Sequence, residues 1–216
     1  MKAEIYPGIL VHTVEEYIHR LEMVESSPAT WSHIDVMDGQ FVPNITVMPH
    51  EFMGISTRLK LEVHLMTFGP ERYFPDLAAA GVSRVLLHRE AYPSLAECAE
   101  GLRHAKDYFS EVGLVINPDT EVENYRGLPI SSLQCMSVHP GHSGQPFLVS
   151  AFDQVRKVVA QSLGVTVAID GGVSEENIKE LQAEGVSRFV ITSHLYITNN
   201  LPQRFHYFTQ LVSGGA

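Results

Sequence analysis

WSHIDVMDG occupies residues 31–39 and begins with an apolar, β-type run, residues 31–37, in which two ionisable residues, His33 and Asp35, are embedded. Successive side chains of a strand point to opposite faces, so His33, Asp35 and Met37 share one face and the intervening apolar residues take the other. An ionisable side chain is costly to bury alone. The run therefore predicts a strand whose polar face meets compensating partners.

Two later runs repeat this pattern. LEVHLM at residues 61–66 places Glu62 and His64 on one strand face, and AIDGG at residues 168–172 carries Asp170 directly before two glycines. Taken singly, a strand histidine is usually a hydrogen-bonded core residue, and an aspartate before glycine is usually a turn former. We take the other predicted strands to end in apolar residues, which makes these positions stand out.

A divalent metal ion accounts for all of these residues together. Imidazole and carboxylate ligands suit Zn²⁺, which is the first expectation, although Mn²⁺, Fe²⁺ or Co²⁺ would also be held. The sequence predicts one ion per chain, bound by His33, Asp35, His64 and Asp170.

Length and composition restrict the class of protein. The 216 residues are 44% hydrophobic and contain no linker-like stretch, so we expect one domain spanning residues 1–216. The net charge of −10 disfavours nucleic acid and anionic membranes as partners. Cys98 and Cys135 are too few for a disulfide framework, and the chain shows neither an apolar amino-terminal signal nor a stretch of ~20 apolar residues. We therefore expect a cytoplasmic protein.

Strand-like and helical runs alternate along the chain. The predicted strands lie near residues 3–10, 31–37, 61–66, 84–88, 112–116, 133–138, 165–169 and 188–192. The predicted helices include residues 14–24, 71–80, 95–108, 151–161 and 175–184. Eight strands with about eight helices indicate an α/β fold, the (β/α)₈ TIM barrel, whose active site lies at the carboxyl ends of the strands. An open doubly wound sheet is the alternative, but no glycine-rich turn follows the first strand.

Two glycine-rich turns follow the sixth and seventh predicted strands. The first contains Gly141 and Gly144, and the second contains Gly171 and Gly172 ahead of a helix predicted to begin near Glu175. Glycine lets the backbone turn its N–H groups towards an anion, and a helix amino terminus adds a favourable dipole. Either turn alone is equally well read as an ordinary βα connection. Because the two are adjacent and contain no lysine or arginine, they predict a phosphate held mainly by backbone groups.

Four motifs together resemble the ribulose-phosphate 3-epimerase family. In chain order they are residues 33–44, residues 63–66, residues 136–138 with 140–141, and residues 170–173. The resemblance implies that the family's metal ligands are the four residues named above, with Asp35 and Asp170 also acting as acid and base. The resemblance also implies that a sulfur-rich lining over the substrate is formed by Met37, Met66 and Met136.

The family's reaction explains these residue types. Inverting a carbon next to a ketone requires a base that removes its proton and an acid that returns one on the opposite face, through an enediolate whose charge a metal ion stabilises. The resemblance therefore implies an isomerase of pentose phosphate metabolism that converts D-ribulose 5-phosphate to D-xylulose 5-phosphate. Its expected partners are a small-molecule ketose phosphate and further copies of the chain in a homo-oligomer.

Several positions depart from the family pattern. The family has serine where this chain has Gly8, and the family's Gly-Ser pair on the eighth strand is Thr192-Ser193 here. Thr192 thus brings a β-branched side chain and a hydroxyl into the predicted phosphate site, where Ser193 is also expected to bind. The remaining departures are Met48 before Pro49, His139 directly before the first glycine turn, and His142 and Ser143 within that turn.

These departures keep two alternatives open. One is a 3-epimerase of another ketose phosphate, such as D-allulose 6-phosphate, with the altered residues as the cause of the changed preference. The other is a catalytically silent paralogue that binds a sugar phosphate, which the presence of both Asp35 and Asp170 disfavours. A decarboxylase or aldol-type synthase on a related barrel is disfavoured because the Asp-x-Lys-x-x-Asp pattern is missing.

Overall fold

Eight parallel strands close into a barrel in the computed structural model, which describes residues 3–213. Each strand pairs with the next one along the chain, and the last pairs with the first. The strands are β1 (Glu4–Ile9), β2 (Trp31–Met37), β3 (Lys60–Met66), β4 (Arg84–His88), β5 (Glu111–Ile116), β6 (Ser132–Met136), β7 (Thr166–Asp170) and β8 (Arg188–Ile191). The predicted TIM barrel is confirmed. The predicted single domain over residues 1–216 stays a prediction, and its residues 1–2 and 214–216 lie outside the described range.

Helices connect the strands on the outside of the barrel. They are α1 (Val14–Glu25), α2 (Pro49–Phe52), α3 (Phe74–Ala79), α4 (Leu95–Ala105), α5 (Ala151–Val159), α6 (Ile178–Ala183) and α7 (Leu201–Ser213). Short 3₁₀ turns lie at Pro70–Tyr73, Arg89–Ala91 and Ser193–Leu195. Within the described range, none of these helices combines the length and the apolar character that crossing a membrane requires.

One connection lacks the helix that a regular alternation predicts. Residues 117–131, between β5 and β6, are described throughout and form no helix, because Pro118, Gly127 and Pro129 interrupt them. The expectation of about eight helices is therefore too high by one for the described residues.

The helix predicted to begin near Glu175 begins instead at Ile178. The Asn177 side chain holds the preceding residues in a turn. Its Oδ1 accepts the Ser174 N–H at 2.9 Å, and its Nδ2 donates to the Gly172 carbonyl at 2.9 Å. A further turn, held by Asn177, thus separates the second glycine turn from the helix. The backbone that faces the cleft here belongs to a loop and not to a helix end.

The two faces of β2 meet different surroundings, as its alternation predicts. Ile34 and Val36 are fully buried in the apolar layer between barrel and helices, where Tyr17 of α1 also lies. His33 and Asp35 face the barrel interior, where their partners come from β3. The apolar layer stabilises the barrel, which leaves the interior free to hold polar groups.

Ionised side chains fill the amino-terminal half of the barrel interior. We call this group the lower ion cluster, and its members are Glu4, Glu62, Arg84, Glu111 and Arg188. Arg84 Nη1 lies 2.6 Å from Glu62 Oε2, and Arg188 Nη1 lies 3.4 Å from the same oxygen. Each arginine also pairs with a second glutamate, so the cluster is internally paired.

Candidate active site

Four side chains meet in the carboxyl-terminal half of the barrel interior. We call them the upper cluster: His33, Asp35, His64 and Asp170. His33 Nε2 lies 3.4 Å from Asp35 Oδ1 and 3.6 Å from Asp170 Oδ2. His64 Nδ1 lies 3.0 Å and 3.5 Å from the same two oxygens. The structure therefore brings together all four residues that the sequence proposed as metal ligands, from β2, β3 and β7.

The donor atoms of the upper cluster fit a divalent cation. Four ligands about 2.1 Å from a tetrahedral ion lie roughly 3.4 Å apart, which matches the separations observed here. His33 Nε2 is buried and has no hydrogen-bond partner among the described residues. A buried polar atom without a partner is unfavourable, and a coordinate bond to a cation would satisfy it.

Further side chains orient the two imidazoles. Glu62 Oε1 lies 2.8 Å from His33 Nδ1, and His88 Nε2 lies 2.7 Å from His64 Nε2. Glu90 Oε2 in turn lies 2.9 Å from His88 Nδ1. These contacts hold the remaining nitrogen of each ring, His33 Nε2 and His64 Nδ1, towards the carboxylates. Hydrogen bonds of this kind to metal-binding histidines fix the tautomer and the ring orientation.

The electrostatics of the upper cluster attract positive charge. Burial alone would lower the pKa of His33, but the adjacent carboxylates of Asp35, Glu62 and Asp170 stabilise the charged ring and raise its pKa to about 10. Burial likewise opposes the charged form of His64, yet hydrogen bonds that its ring donates to the carboxylates of Asp170 and Asp35 raise its pKa. For Asp35, burial would raise the pKa, but His33 and His64 hold it well below its usual range. A dication bound here would supply positive charge to these carboxylates.

His88 is a site residue that the sequence reasoning missed. The expectation that the other strands end in apolar residues is wrong for β4, which ends in this buried histidine. The signal was available, because His88 follows Leu86 at strand spacing and has Glu90 two residues later. Gln134 of β6 was also missed, and its Nε2 lies 3.4 Å from Asp170 Oδ2.

A cleft opens above the upper cluster at the carboxyl ends of the strands. Of the predicted site residues, those that line it are Asp35, Met37, Met66, Met136, Gly141, Gly144, Asp170, Gly171, Gly172, Thr192 and Ser193. His33 and His64 lie fully buried beneath it. Among the departures from the family pattern, His142 and Ser143 also line the cleft, whereas Met48 and His139 do not. The roles of these residues stay predictions.

The glycine turns at one end of the cleft present backbone donors. In the described part of the chain, the N–H groups of Gly144, Gly172, Val173 and Ser193 donate to no protein acceptor. The first turn is held in place by Asn44, whose Nδ2 donates to the Gly141 carbonyl at 2.7 Å. The two turns therefore offer an anion several N–H groups without a positively charged side chain.

Two glycines of the turns are required by the fold itself. Gly172 has a φ of +59°, and a Cβ on it would lie 2.8 Å from the backbone nitrogen of Phe147. Gly171 has a φ of +108°, and a Cβ there would lie 2.5 Å from a Val138 methyl group. A side chain at Gly144 would meet no atom within 4 Å. A substitution at Gly172 therefore disturbs packing as well as anion access. Gly144 has room for a side chain but a φ of +78°, so a substitution there strains the backbone without a clash.

The chain matches the model of the ribulose-phosphate 3 epimerase family over residues 4–196. Similar curated proteins include a ribulose-phosphate 3-epimerase from Mycobacterium bovis, 38% identical over 176 residues that cover 78% of this chain and 76% of the relative. A ribulose-phosphate 3-epimerase from Bacillus subtilis is 33% identical over 202 residues, covering 89% of this chain and 92% of the relative.

Solved structures with low sequence identity share the fold. A thiamine phosphate pyrophosphorylase from Pyrococcus furiosus has a TM-score of 0.67 at 14% identity and covers 98% of this chain and 96% of its own. A phosphoribosyl anthranilate isomerase from Thermus thermophilus has a TM-score of 0.67 at 13% identity and covers 98% of each chain. At this identity the likeness concerns the barrel alone.

Proposed function

The chain belongs to the ribulose-phosphate 3-epimerase family, and we propose that it interconverts D-ribulose 5-phosphate and D-xylulose 5-phosphate by inverting C3. It is an isomerase of the carbohydrate-phosphate epimerase class. The observation that carries the proposal is the pair Asp35 and Asp170, which reach the same cleft from β2 and β7. These strands are not neighbours in the barrel, so the two carboxylates approach a substrate from different sides.

The two carboxylates exchange one proton each with the substrate. One aspartate accepts the proton from C3, and the electron pair of the broken C–H bond passes towards the C2 carbonyl oxygen. The other aspartate, in its acid form, returns a proton to the opposite face of C3. Asp35 and Asp170 exchange these roles when the reaction runs in reverse.

The proposed cation is held by the upper cluster. When bound, it supplies positive charge beside the oxygen on which negative charge develops. Zn²⁺ suits two imidazoles and two carboxylates, and Mn²⁺, Fe²⁺ and Co²⁺ are accommodated by the same donors. Glu62 and His88 keep the imidazoles in place for this task.

Apolar side chains protect the reacting carbon from water. Met37, Met66 and Met136 are almost fully buried and line the cleft next to the two aspartates. Thioether side chains adapt to the shape of a ligand while excluding solvent. Exclusion of water keeps the proton on the catalytic carboxyl group until it returns to carbon.

The phosphate group is assigned to the glycine turns. The unpaired N–H groups of Gly144, Gly172 and Ser193 support this assignment, because backbone donors bind anions without requiring a point charge. Neither turn contains lysine or arginine, which fits an anion bound by backbone dipoles. Because the chain's net charge of −10 repels anions overall, these local N–H groups are the source of attraction for the phosphate.

A second candidate function is the 3-epimerisation of a ketohexose 6-phosphate such as D-allulose 6-phosphate. It is favoured by His142, Ser143 and Thr192, which line the cleft and depart from the family pattern. The chemistry at C3 would be the same in both cases, so the two candidates differ only in the sugar.

Isotope exchange tests the function directly. The metal-loaded enzyme is incubated with D-ribulose 5-phosphate or D-allulose 6-phosphate in deuterated water, and deuterium at C3 is followed by NMR. We expect label in the pentulose phosphate at the higher kcat/KM, and labelling slower by ~10²-fold or more with the Asp170→Asn variant. Faster labelling of the hexulose phosphate would replace the first candidate by the second. Absence of label from every ketose phosphate would contradict both and favour a silent binding protein.

Two further expectations concern the whole protein. We propose a homo-oligomer acting in the cytoplasm on a small-molecule sugar phosphate. Light scattering on the purified chain measures the oligomeric state, and a monomeric mass at micromolar concentration would contradict the first expectation. Cell fractionation tests the second.

A further inference from the structure

The side chain of Thr192 fills the space in which a side chain at Gly8 would lie. A Cβ built on Gly8 would be 2.1 Å from Thr192 Oγ1 and 3.2 Å from Thr192 Cβ. The third neighbour is a methyl group of Val190 at 3.4 Å. Positions 8 and 192 therefore share one side-chain volume, and only one of them can occupy it.

This shared volume lies at the edge of the upper cluster. Gly8 pairs with His33 in the β1–β2 ladder, and Thr192 directly follows β8 and lines the cleft together with Asp35 and Asp170. Thr192 also precedes Ser193, whose N–H belongs to the proposed phosphate site. Thr192 thus lines the same cleft as the proton-transfer groups and the phosphate-binding turns.

The hydroxyl of Thr192 is not used by the fold. Thr192 stands directly before the 3₁₀ turn Ser193–Leu195, where a threonine commonly caps the following N–H groups, but its side chain makes no capping hydrogen bond. Instead Oγ1 is directed to the Gly8 side. Because a β-branched side chain has few χ1 rotamers, this hydroxyl is held in a defined position in the cleft.

We propose that the Thr192 hydroxyl binds a sugar oxygen of the ketose phosphate, and that Gly8 is retained to admit it. The two departures, Gly8 for serine and Thr192 for glycine, are then one exchange in which a hydroxyl moves from β1 to β8. The proposal rests on the proposed function and names Thr192 as a residue that determines specificity for that reaction.

Removing the hydroxyl alone provides the first test. Thr192→Val keeps the branched shape, so we expect KM for the ketose phosphate to rise about tenfold, as for one lost hydrogen bond, with kcat changed less than about twofold. Thr192→Ser should keep a KM close to that of the unmodified chain. Thr67→Val is the matched control, because the Thr67 hydroxyl likewise has no hydrogen-bond partner among the described residues but lies outside the cleft. A KM of Thr192→Val equal to that of the unmodified chain would overturn the proposal.

A double-mutant cycle tests whether the two positions share one volume. Gly8→Ser alone should lower Tm and raise KM, because two side chains then compete for the same space. Thr192→Gly alone should raise KM. The variant with both changes should regain the Tm lost in Gly8→Ser and a KM within about threefold of the starting value, since coupling is expected only between residues in contact. Independent, multiplying effects of the two changes on KM would overturn the proposal.

The two proposals fail in different ways. If the unmodified enzyme places no deuterium at C3 of any ketose phosphate, the proposed function is wrong and this inference is wrong with it. If the unmodified enzyme labels C3 and Thr192→Val leaves KM unchanged, only the role of Thr192 is wrong.

Discussion

The barrel interior contains two buried ionic groups that differ in how they are completed. In the lower ion cluster, Arg84 and Arg188 both contact Glu62, and each arginine has a second glutamate as partner. In the upper cluster, no described lysine or arginine pairs with Asp35 or Asp170. Arginines balance the glutamate charges of the lower ion cluster. The aspartate charges of the upper cluster are balanced by protonated imidazoles or by a cation.

Glu62 connects the two groups. Its Oε1 contacts His33 of the upper cluster and its Oε2 contacts Arg84 of the lower one. Burial would raise the pKa of Glu62, but His33, Arg188 and Arg84 lower it to about 2. Buried carboxylates thus serve two purposes in this barrel. A carboxylate paired with arginine is structural, whereas a carboxylate that faces histidine and an open cleft is available for chemistry.

Loss of a proton acceptor in the upper cluster should have the largest effect. Asp170→Asn keeps the size of the side chain but cannot accept a proton, so we expect kcat to fall by ~10²-fold to ~10⁴-fold. Asp119→Asn, at an exposed position, serves as control and should leave kcat unchanged. Deuterium exchange at C3 measures both variants. A rate for Asp170→Asn near that of the unmodified chain would remove this residue from the acid/base role.

Breaking the lower ion cluster should affect stability and spare the metal. Arg84→Met leaves buried Glu62 with a weaker set of partners, and removing one member of a buried ion pair typically destabilises a protein by about 3–5 kcal/mol. The exposed pair of Arg103 and Glu100 offers a control, since Arg103→Met should change stability by less than about 1 kcal/mol. Urea unfolding gives both values, and metal analysis should still find one ion per folded Arg84→Met chain. Equal stability of the two variants would contradict the structural role of the lower cluster.

Metal removal should destabilise the unmodified chain specifically. A ligand that binds only the folded state at 100 times its Kd adds about 2.7 kcal/mol to the stability, so a chelator should lower Tm by several degrees. His64→Ala removes one ligand and should show little or no chelator effect. Thermal melts with and without a chelator provide the measurement. An identical Tm shift in both proteins would mean that the ion binds elsewhere.

The smallest effect, a loss of metal affinity, is expected from changes to residues that contact the metal ligands. His88→Gln disturbs the contact that orients His64, and such changes typically weaken metal binding by ~10-fold to ~100-fold. His104→Gln, at an exposed position on α4, is the matched control. Competition with a fluorescent chelator measures both affinities. Unchanged affinity in His88→Gln would show that the ring of His64 is oriented by its strand alone.

The strands and the four donors of the upper cluster were predictable from local pattern. The alternation around His33 and Asp35 assigns them to one face of β2, and the barrel topology brings the ends of β2, β3 and β7 to one place. His88 was missed because its signal, a single histidine at the strand end with Glu90 two residues later, is weaker than the paired ionisable residues on the inner faces of β2 and β3. The start of α6 was misplaced because the Asn177 side chain bonds locally and stabilises a turn in place of a helical start.

The relation between Gly8 and Thr192 could not be predicted from the sequence at all. The two positions are far apart along the chain, and they become neighbours only because β8 pairs with β1 to close the barrel. From the sequence they were two separate departures from a family pattern. In the structure the two positions share one side-chain volume, which requires three-dimensional distances to recognise.

Anomalous diffraction from metal-loaded crystals tests the central claim, that the upper cluster is completed by a cation and the lower one is not. Data collected on both sides of the absorption edge of the added metal should give one strong anomalous peak per chain. We expect the peak within about 2.0–2.2 Å of His33 Nε2, His64 Nδ1 and one oxygen each of Asp35 and Asp170, if the metal is zinc. A fully loaded crystal without a peak at these atoms, or with its peak at another group, would contradict the account.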